Sequence, residues 1–443
     1  MDHNVTGNAP SPFTNPETIA GLGLKESLIT DLFLKHSLVA GNCTLTGIAG
    51  SMKLAIQHVE SVFHVLKGQQ LIEVRGMYGE DYSYSLSASG KKVALERMSI
   101  SGYAGPVPVP LAQYELAVRS QTGRARVNRE VLSRAFHDLS LHPDMIGKLG
   151  PALVSRNSMF LYGPSGTGKS SLAERLLRVF DDAVAIPWAV EVEGNIITVF
   201  DASVHRVLGE PSRDSDPRWQ FCARPSIVVG GELVPSMLEL QRNPETGAYV
   251  APLHMKANNG IFVIDDFGRQ VISPRELLNR WIVPLDRHLD YLSTSAGFKF
   301  PVPFEVFVVF STNLDPTELA DEAFLRRIRN KIFVDAIEPR IFDDIVERKL
   351  ESCQWENEPG APEHLRRICI ERGGDLRPCY PRDIFAIIEA TAGFEERTPM
   401  LAKADIDRAA DTYFTGRISS KVPVALPMDR IADRLTESVP SLQ

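Results

Sequence analysis

From residue 27 to about residue 98 the apolar positions repeat first at helical spacing, then alternate, then return to helical spacing. A first helix is predicted over residues 27–37 and a second after Thr44. A third sets Ile56, Val59, Phe63 and Leu66 on one face. Ile72 and Val74 then lead into a turn at residues 76–81, and Tyr82, Tyr84 and Leu86 alternate on the way back, the period of a half-buried two-stranded ribbon. Ser87 offers an N-cap for a closing helix. Residues 101–110, SGYAGPVPVP, combine three prolines with two glycines and predict a stiff, extended linker.

Beyond the linker the rhythm changes to strand-like apolar runs alternating with amphipathic stretches, which predicts a three-layer α/β domain with a mainly parallel sheet. The predicted strands are residues 158–162, 260–264 and 304–311. Residues 190–199 suggest a hairpin turning at Glu193 and Gly194, and residues 225–253 a further hairpin-bearing insertion. Residues 339–415 revert to helical spacing, interrupted around residues 373–378. The ends differ from the rest. Residues 1–24 are rich in Asn, Pro, Thr and Gly and predict a disordered leader, and residues 416–443 predict a flexible tail. The expected organisation is therefore leader 1–24, helical domain with hairpin 25–98, linker 99–111, α/β core 112–338, helical region 339–415 and tail 416–443.

A chain of 443 residues, 44% hydrophobic and 23% charged, is long enough for two or three self-sufficient cores. The five cysteines are scattered, with no paired spacing and no histidine at zinc distance, as in a reduced cytoplasmic protein. No signal peptide and no apolar run of membrane-spanning length is present, so membrane insertion is not expected. A net charge of −8 argues against bulk attraction to nucleic acid or anionic lipid.

The sharpest chemical signal is FLYGPSGTGKSSLAERLL, in which Gly163, Gly168, Lys169 and Ser170 satisfy G-x-x-x-x-G-K-[ST] between a predicted strand and a predicted helix. The glycines let the backbone turn so that successive N–H groups face phosphate oxygens, and the new helix adds its positive end. Gly163, Pro164, Ser165, Gly166, Thr167, Gly168, Lys169, Ser170 and Ser171 are the candidate nucleotide contacts. Lys169 would reach the β- and γ-phosphates, and the Ser170 hydroxyl would serve Mg²⁺, which binds through few protein ligands. A second strand, GIFVIDDFG, ends in Asp265 and Asp266. The first carboxylate can hold Mg²⁺ and the second can polarise an attacking water. Alone, this string would equally suit a solvated acidic turn. The third strand, FEVFVVFSTN, brings Asn313 to the same end, where in isolation it would be a helix cap. Arg326, Arg327 and Arg329 cluster beyond it in DEAFLRRIRNKI, and Arg382 follows Pro381 in CYPRDI.

With these motifs in this order, residues 125–415 resemble the AAA+ ATPase superfamily, and most closely its MoxR and magnesium-chelatase-like branch. The resemblance implies ATP and Mg²⁺ as ligands, residues 163–170 as Walker A, Asp265 and Asp266 as Walker B, Asn313 as sensor 1 and Arg382 as a sensor-2 arginine from a helical lid. It also implies that Ile146 and Gly147, in a short turn within MIGKLGPAL, flank adenine, and that Arg327 acts across a subunit interface. Most of the superfamily has Asp-Glu in Walker B where this chain has Asp-Asp, which implies slow turnover. The helix-helix-helix-hairpin-helix order of residues 25–98 resembles a winged helix-turn-helix domain.

Two functions follow. A homo-oligomeric ring, commonly a hexamer, would remodel a protein partner recruited by the winged helix, or the winged helix would bring an AAA+ machine to DNA. Residues 1–98 carry eight Lys and Arg against nine acidic residues, whereas DNA-binding domains usually show a basic stripe. That balance favours a protein partner, although Arg75, Lys91 and Lys92 remain available for phosphate contacts. A nucleotide-binding scaffold without useful hydrolysis is the third reading, and it rests on Asp266.

Overall fold

The computed structural model describes residues 13–79, 81–123, 127–209 and 214–414. The chain divides into two compact units: residues up to Ile345 together with Arg377–Cys379, and Val346–Leu376 together with the residues from Tyr380 onward. The predicted tail lies outside the described residues. Among those residues no helix is long and apolar enough to cross a membrane.

The first unit opens with α1 (Glu26–Ala40), β1 (Cys43–Thr44), α2 (Leu45–Met52), α3 (Ile56–Gly68), β2 (Ile72–Tyr78), β3 (Asp81–Leu86) and α4 (Ala88–Ile100). The strands form an antiparallel sheet in the order β1-β3-β2. Thr44 and Ser87 cap α2 and α4 by accepting from Gly47 N and Gly90 N. The helical stripes and one face of the hairpin meet in a core that includes Phe33, Val59, Phe63, Leu66 and Tyr84. The turn predicted at residues 76–81 is shorter in the structure, because β2 continues to Tyr78 after a register shift between Val74 and Gly76.

The leader and the linker are corrections. Of the predicted disordered leader, residues 13–24 are ordered: Phe13 meets Trp219 edge-on with centroids 5.4 Å apart, and Leu22 and Leu24 are buried. Within residues 13–24, Phe13, Ile19, Leu22 and Leu24 land in packed environments that periodicity does not reveal. The linker likewise buries Tyr103 and, between its prolines, Val107 and Val109. Both segments end on one cation. Arg218 pairs with Asp216 at 2.7 Å with both side chains fully buried, and its guanidinium also donates to Leu22 O and Pro108 O.

The linker's last residues form β4 (Val109–Pro110), followed by α5 (Leu111–Gln121), α6 (Arg129–Ala135), α7 (Pro143–Ser155), β5 (Met159–Tyr162) and α8 (Lys169–Arg175). Next come β6 (Ala183–Pro187), β7 (Ala189–Val192), β8 (Asn195–Thr198), β9 (Trp219–Ala223), β10 (Ser226–Val229), β11 (Gln241–Arg242) and β12 (Tyr249–Val250). The unit continues with α9 (Leu253–Lys256), β13 (Ile261–Ile264), α10 (Pro274–Arg287), β14 (Leu289–Ser293), β15 (Lys299–Pro303), β16 (Phe307–Thr312), α11 (Pro316–Leu319), α12 (Glu322–Leu325) and β17 (Asn330–Phe333).

Strands β10, β13, β16, β5 and β17, in that spatial order, make an all-parallel sheet. β13 and β16 are buried at every position, the signature of a sheet covered on both faces. Alternate residues face opposite cores: Phe160, Phe262, Ile264 and Phe310 pack with Trp281 of α10, while Leu161, Val263 and Val309 pack with Leu172 of α8 and Ala152 of α7. Register brings Tyr162, Ile264 and Thr312 to one edge, since Ile264 pairs with Phe310 and Thr312 with Tyr162.

A second, mixed sheet of order β11-β12-β8-β7-β4 and the ribbons β6–β9 and β14–β15 share a separate core around Tyr114, Ile197, Trp219 and Val302. The predicted hairpin at residues 190–199 is β7–β8, turning through Glu193 and Gly194 at positive φ. The β14–β15 hairpin was not predicted. The second unit comprises the C-terminal part of α13 (Pro339–Cys353), α14 (Ala361–Gly373), α15 (Cys379–Phe394) and α16 (Lys403–Tyr413). Trp355 stacks on Phe385 at 5.1 Å in its core.

Candidate functional site

The residues after β5, β13 and β16 lie side by side at the C-terminal end of the parallel sheet, the end at which open α/β sheets receive ligands. After β5 the chain turns through Gly163 at φ 142°, Gly166 at 80° and Gly168 at 92°, the last opening α8. Gly163 is obligatory on steric grounds as well, because a Cβ there would meet Val334 O at 2.3 Å. Lys169 is buried, and its Nζ donates to Gly163 O at 2.9 Å and Pro164 O at 2.7 Å. Thr167 Oγ1 donates to Pro164 O as well. Burial pushes the Lys169 ammonium below its ordinary pKa, with Asp265 and Asp266 pulling it back up and Arg377 adding to the lowering. Ser165 and Ser170 are exposed, and Ser171 is half-buried on the first turn of α8.

After β13, Asp265 anchors its N–H on Val229 O, and Asp266 takes φ 48°, in the left-handed region. Phe267 N donates to Ser311 O, and Thr312 Oγ1 donates to Phe267 O, which ties this turn to β16. Asn313, the residue after β16, points its Nδ2 at Asp266 Oδ1 from 3.4 Å. The structure therefore brings together the glycine loop, both carboxylates and Asn313.

A phosphate-and-metal reading fits what is present. The loop offers backbone N–H groups at glycines that no side chain occupies, beside a lysine ammonium, which is the chemistry of an anion cradle. A serine hydroxyl and adjacent carboxylates are hard oxygen donors of the kind Mg²⁺ takes. Among the described residues, no group of three or more His, Cys, Asp or Glu side chains could hold a metal by itself.

Other predicted residues fall differently. Ile146 and Gly147 lie within α7 rather than in a short turn, because Pro143 starts the helix early and His142 caps it through Asp144 N. Ile146 packs against the core under α7, and Gly147 is exposed. Arg327, just past α12, forms an ion pair with Asp286 at 2.6 Å, while Arg326 and Arg329 are exposed. Arg382 lies in the first turn of α15 in the second unit, where it pairs with Asp383 at 2.9 Å. Sequence reasoning missed Arg377, whose Nη1 donates to Ser165 O of the glycine loop at 2.9 Å. The signal was present as the Gly-Asp-Pro break in helical spacing at residues 373–378, which holds this arginine.

A family model described as a domain of unknown function (DUF8689) matches residues 338–412. No curated protein matches the chain. Among solved structures, NtrX from Brucella abortus is similar at 12% identity and a TM-score of 0.40 over 80% of this chain, which spans 62% of the NtrX chain. The Holliday junction branch migration motor RuvB of Thermotoga maritima is similar at 14% identity and a TM-score of 0.33, over 67% of this chain and 71% of that one. At such distances the chemistry has to be read from this chain's own residues.

Proposed function

We propose that the protein is an ATP hydrolase of the AAA+ type that works as a homo-oligomeric ring, and that its N-terminal winged-helix-like domain recruits a protein partner. The observation that carries the hydrolase reading is the alignment of the glycine loop, Asp265, Asp266 and Asn313 on neighbouring strand ends. Residues 163–171 would cradle the phosphates, and Lys169, now bonded to loop carbonyls, would turn to the β- and γ-phosphates. Ser170 and Asp265 would hold Mg²⁺, which when bound screens phosphate charge. Asp266 would accept a proton from the attacking water while Asn313 orients it. Arg377 would add positive charge at the loop, the part first assigned to Arg382. Arg327 would act on a neighbouring subunit's nucleotide once released from Asp286.

Two observations support a protein partner over DNA. The charge of residues 1–98 is slightly acidic. In addition, α3, the helix that would read a groove, has His58 buried, and Gln57 donates to Pro16 O of the ordered leader. The deciding experiment measures ATP turnover and solution mass with and without ATP, and with and without duplex DNA at low salt. The expected result is ATP-dependent assembly with turnover indifferent to DNA. DNA-stimulated turnover would overturn the partner assignment. Lys169→Ala should weaken nucleotide binding by about a hundredfold or more, and tight binding by that variant would refute the site. Mixing Lys169→Ala with Arg327→Ala subunits should restore part of the activity if Arg327 works across the interface.

A further inference from the structure

The turn that carries Asp266 has an unusual support. Asp266 occupies the left-handed region at φ 48°, which aspartate tolerates better than most side-chain-bearing residues but at a cost that surrounding bonds offset. Gln270 supplies such bonds. Its Oε1 accepts from Gly268 N at 2.9 Å, and its Nε2 donates to Asp265 O at 2.8 Å and Asp266 O at 3.2 Å. One amide thus closes the turn on three backbone groups, and its orientation is fixed, since a backbone N–H needs the oxygen and two carbonyls need the nitrogen. Arg269 N closes the same turn on Asp266 O at 3.0 Å, and the two bonds to β16 hold its far side.

The geometry points to Gln270 as a positioning residue for hydrolysis: it locks the peptide on either side of Asp266, so that the short aspartate carboxylate is presented toward Asn313 and the attacking water. This rests on the reading of Asp266 as the group that accepts the water's proton. It also explains how an aspartate serves where the resemblance expects a longer glutamate, because reach lost in the side chain is supplied by the left-handed backbone. Gln270 itself hydrogen-bonds neither the phosphate loop nor Asn313, so its effect passes through the Asp265–Asp266 turn, and the affinity measurement separates an effect on the metal-holding Asp265 from one on Asp266.

The test uses the full-length protein with MgATP, and a non-hydrolysable ATP analogue for affinity. Gln270→Ala and the isosteric Gln270→Glu, which keeps one acceptor but cannot donate to the two carbonyls, should each lower kcat by about ten- to a hundredfold. Analogue affinity should change by less than about twofold. Parent-like turnover in Gln270→Glu overturns the proposal, as does a loss of analogue affinity equal to the loss of kcat, which would mark a general structural role. Asp266→Asn separates the two levels of the argument. If it hydrolyses ATP like the parent, the reading of Asp266 fails and Gln270 falls with it; if it is inactive while both Gln270 variants are parent-like, only the clamp is refuted.

Discussion

The glycine loop after β5 and the Asp265–Asp266 turn meet at one end of the same sheet, and both leave ordinary right-handed backbone, by opposite means. The loop uses Gly163, Gly166 and Gly168, which enter positive φ without a Cβ to resist. The acidic turn puts an aspartate at φ 48° and holds it with the Gln270 amide and two bonds to β16. On the proposed nucleotide site, the difference follows from the chemistry. A loop that acts through backbone N–H groups can dispense with side chains, whereas a turn that acts through a carboxylate must keep its side chain and tolerate the conformational cost.

This contrast can be broken or sharpened by substitution. The largest expected effect is Asp266→Asn, which keeps a residue tolerant of the left-handed region and removes only the charge. It should lower kcat by about 10²- to 10⁴-fold at unchanged ATP affinity in steady-state assays. Gly163→Ala comes next, because its methyl would strike Val334 O at a backbone position that cannot move aside. Chemical denaturation should show a loss of about 2–3 kcal/mol, and a neutral result would show that the loop tolerates side chains after all. Asp266→Gly should act in the other direction, raising stability by about 0.5–1 kcal/mol while abolishing turnover. A lower melting temperature in that variant would mean the left-handed aspartate carries no strain.

The smallest effect concerns pH and lies away from both turns. His36, His58 and His205 are buried, and burial lowers the pKa of each below its ordinary value. His205 is held as the neutral ring, with Nδ1 accepting from Asp201 N and Nε2 donating to Lys256 O. An unfolded chain binds protons at these rings near pH 6.5, before the folded one does, so their contribution is fully present above about 6.5 and declines as the pH falls below it. Hydrogen exchange at pH 5.5 should therefore show the N-terminal helices and the residues around β9 opening more than they do at pH 7.5. Equal protection at the two values would remove these histidines as the cause.

Much of the parallel sheet was legible because strands buried on both faces are continuous apolar runs, and residues 159–162, 261–264 and 307–312 fall within or beside the predicted segments. The glycine loop was legible because its chemistry needs fixed residue types at fixed spacing. The mixed sheet was largely not. Its strands are two to four residues long, and in the neighbouring ribbon β15 carries Pro301 and Pro303, which argue against a strand until its pairing with β14 is seen. Residues that act by where a turn places them were hidden too: Arg377 and Gln270 belong to no motif, and each matters through backbone groups that only the fold brings within reach.

Arg218 finally bears on how this protein can be divided. The proline-rich stretch at residues 101–110 looks like a natural place to separate an N-terminal module from the α/β core, yet Pro108 O and Leu22 O both end on the guanidinium buried with Asp216. A fragment starting after the linker would keep a buried cation stripped of two of its acceptors, and a fragment ending there would lose the surface on which its own first residues lie. The N-terminal helices and the β layer should therefore fold as one piece, and a protease that nicks the linker should release nothing.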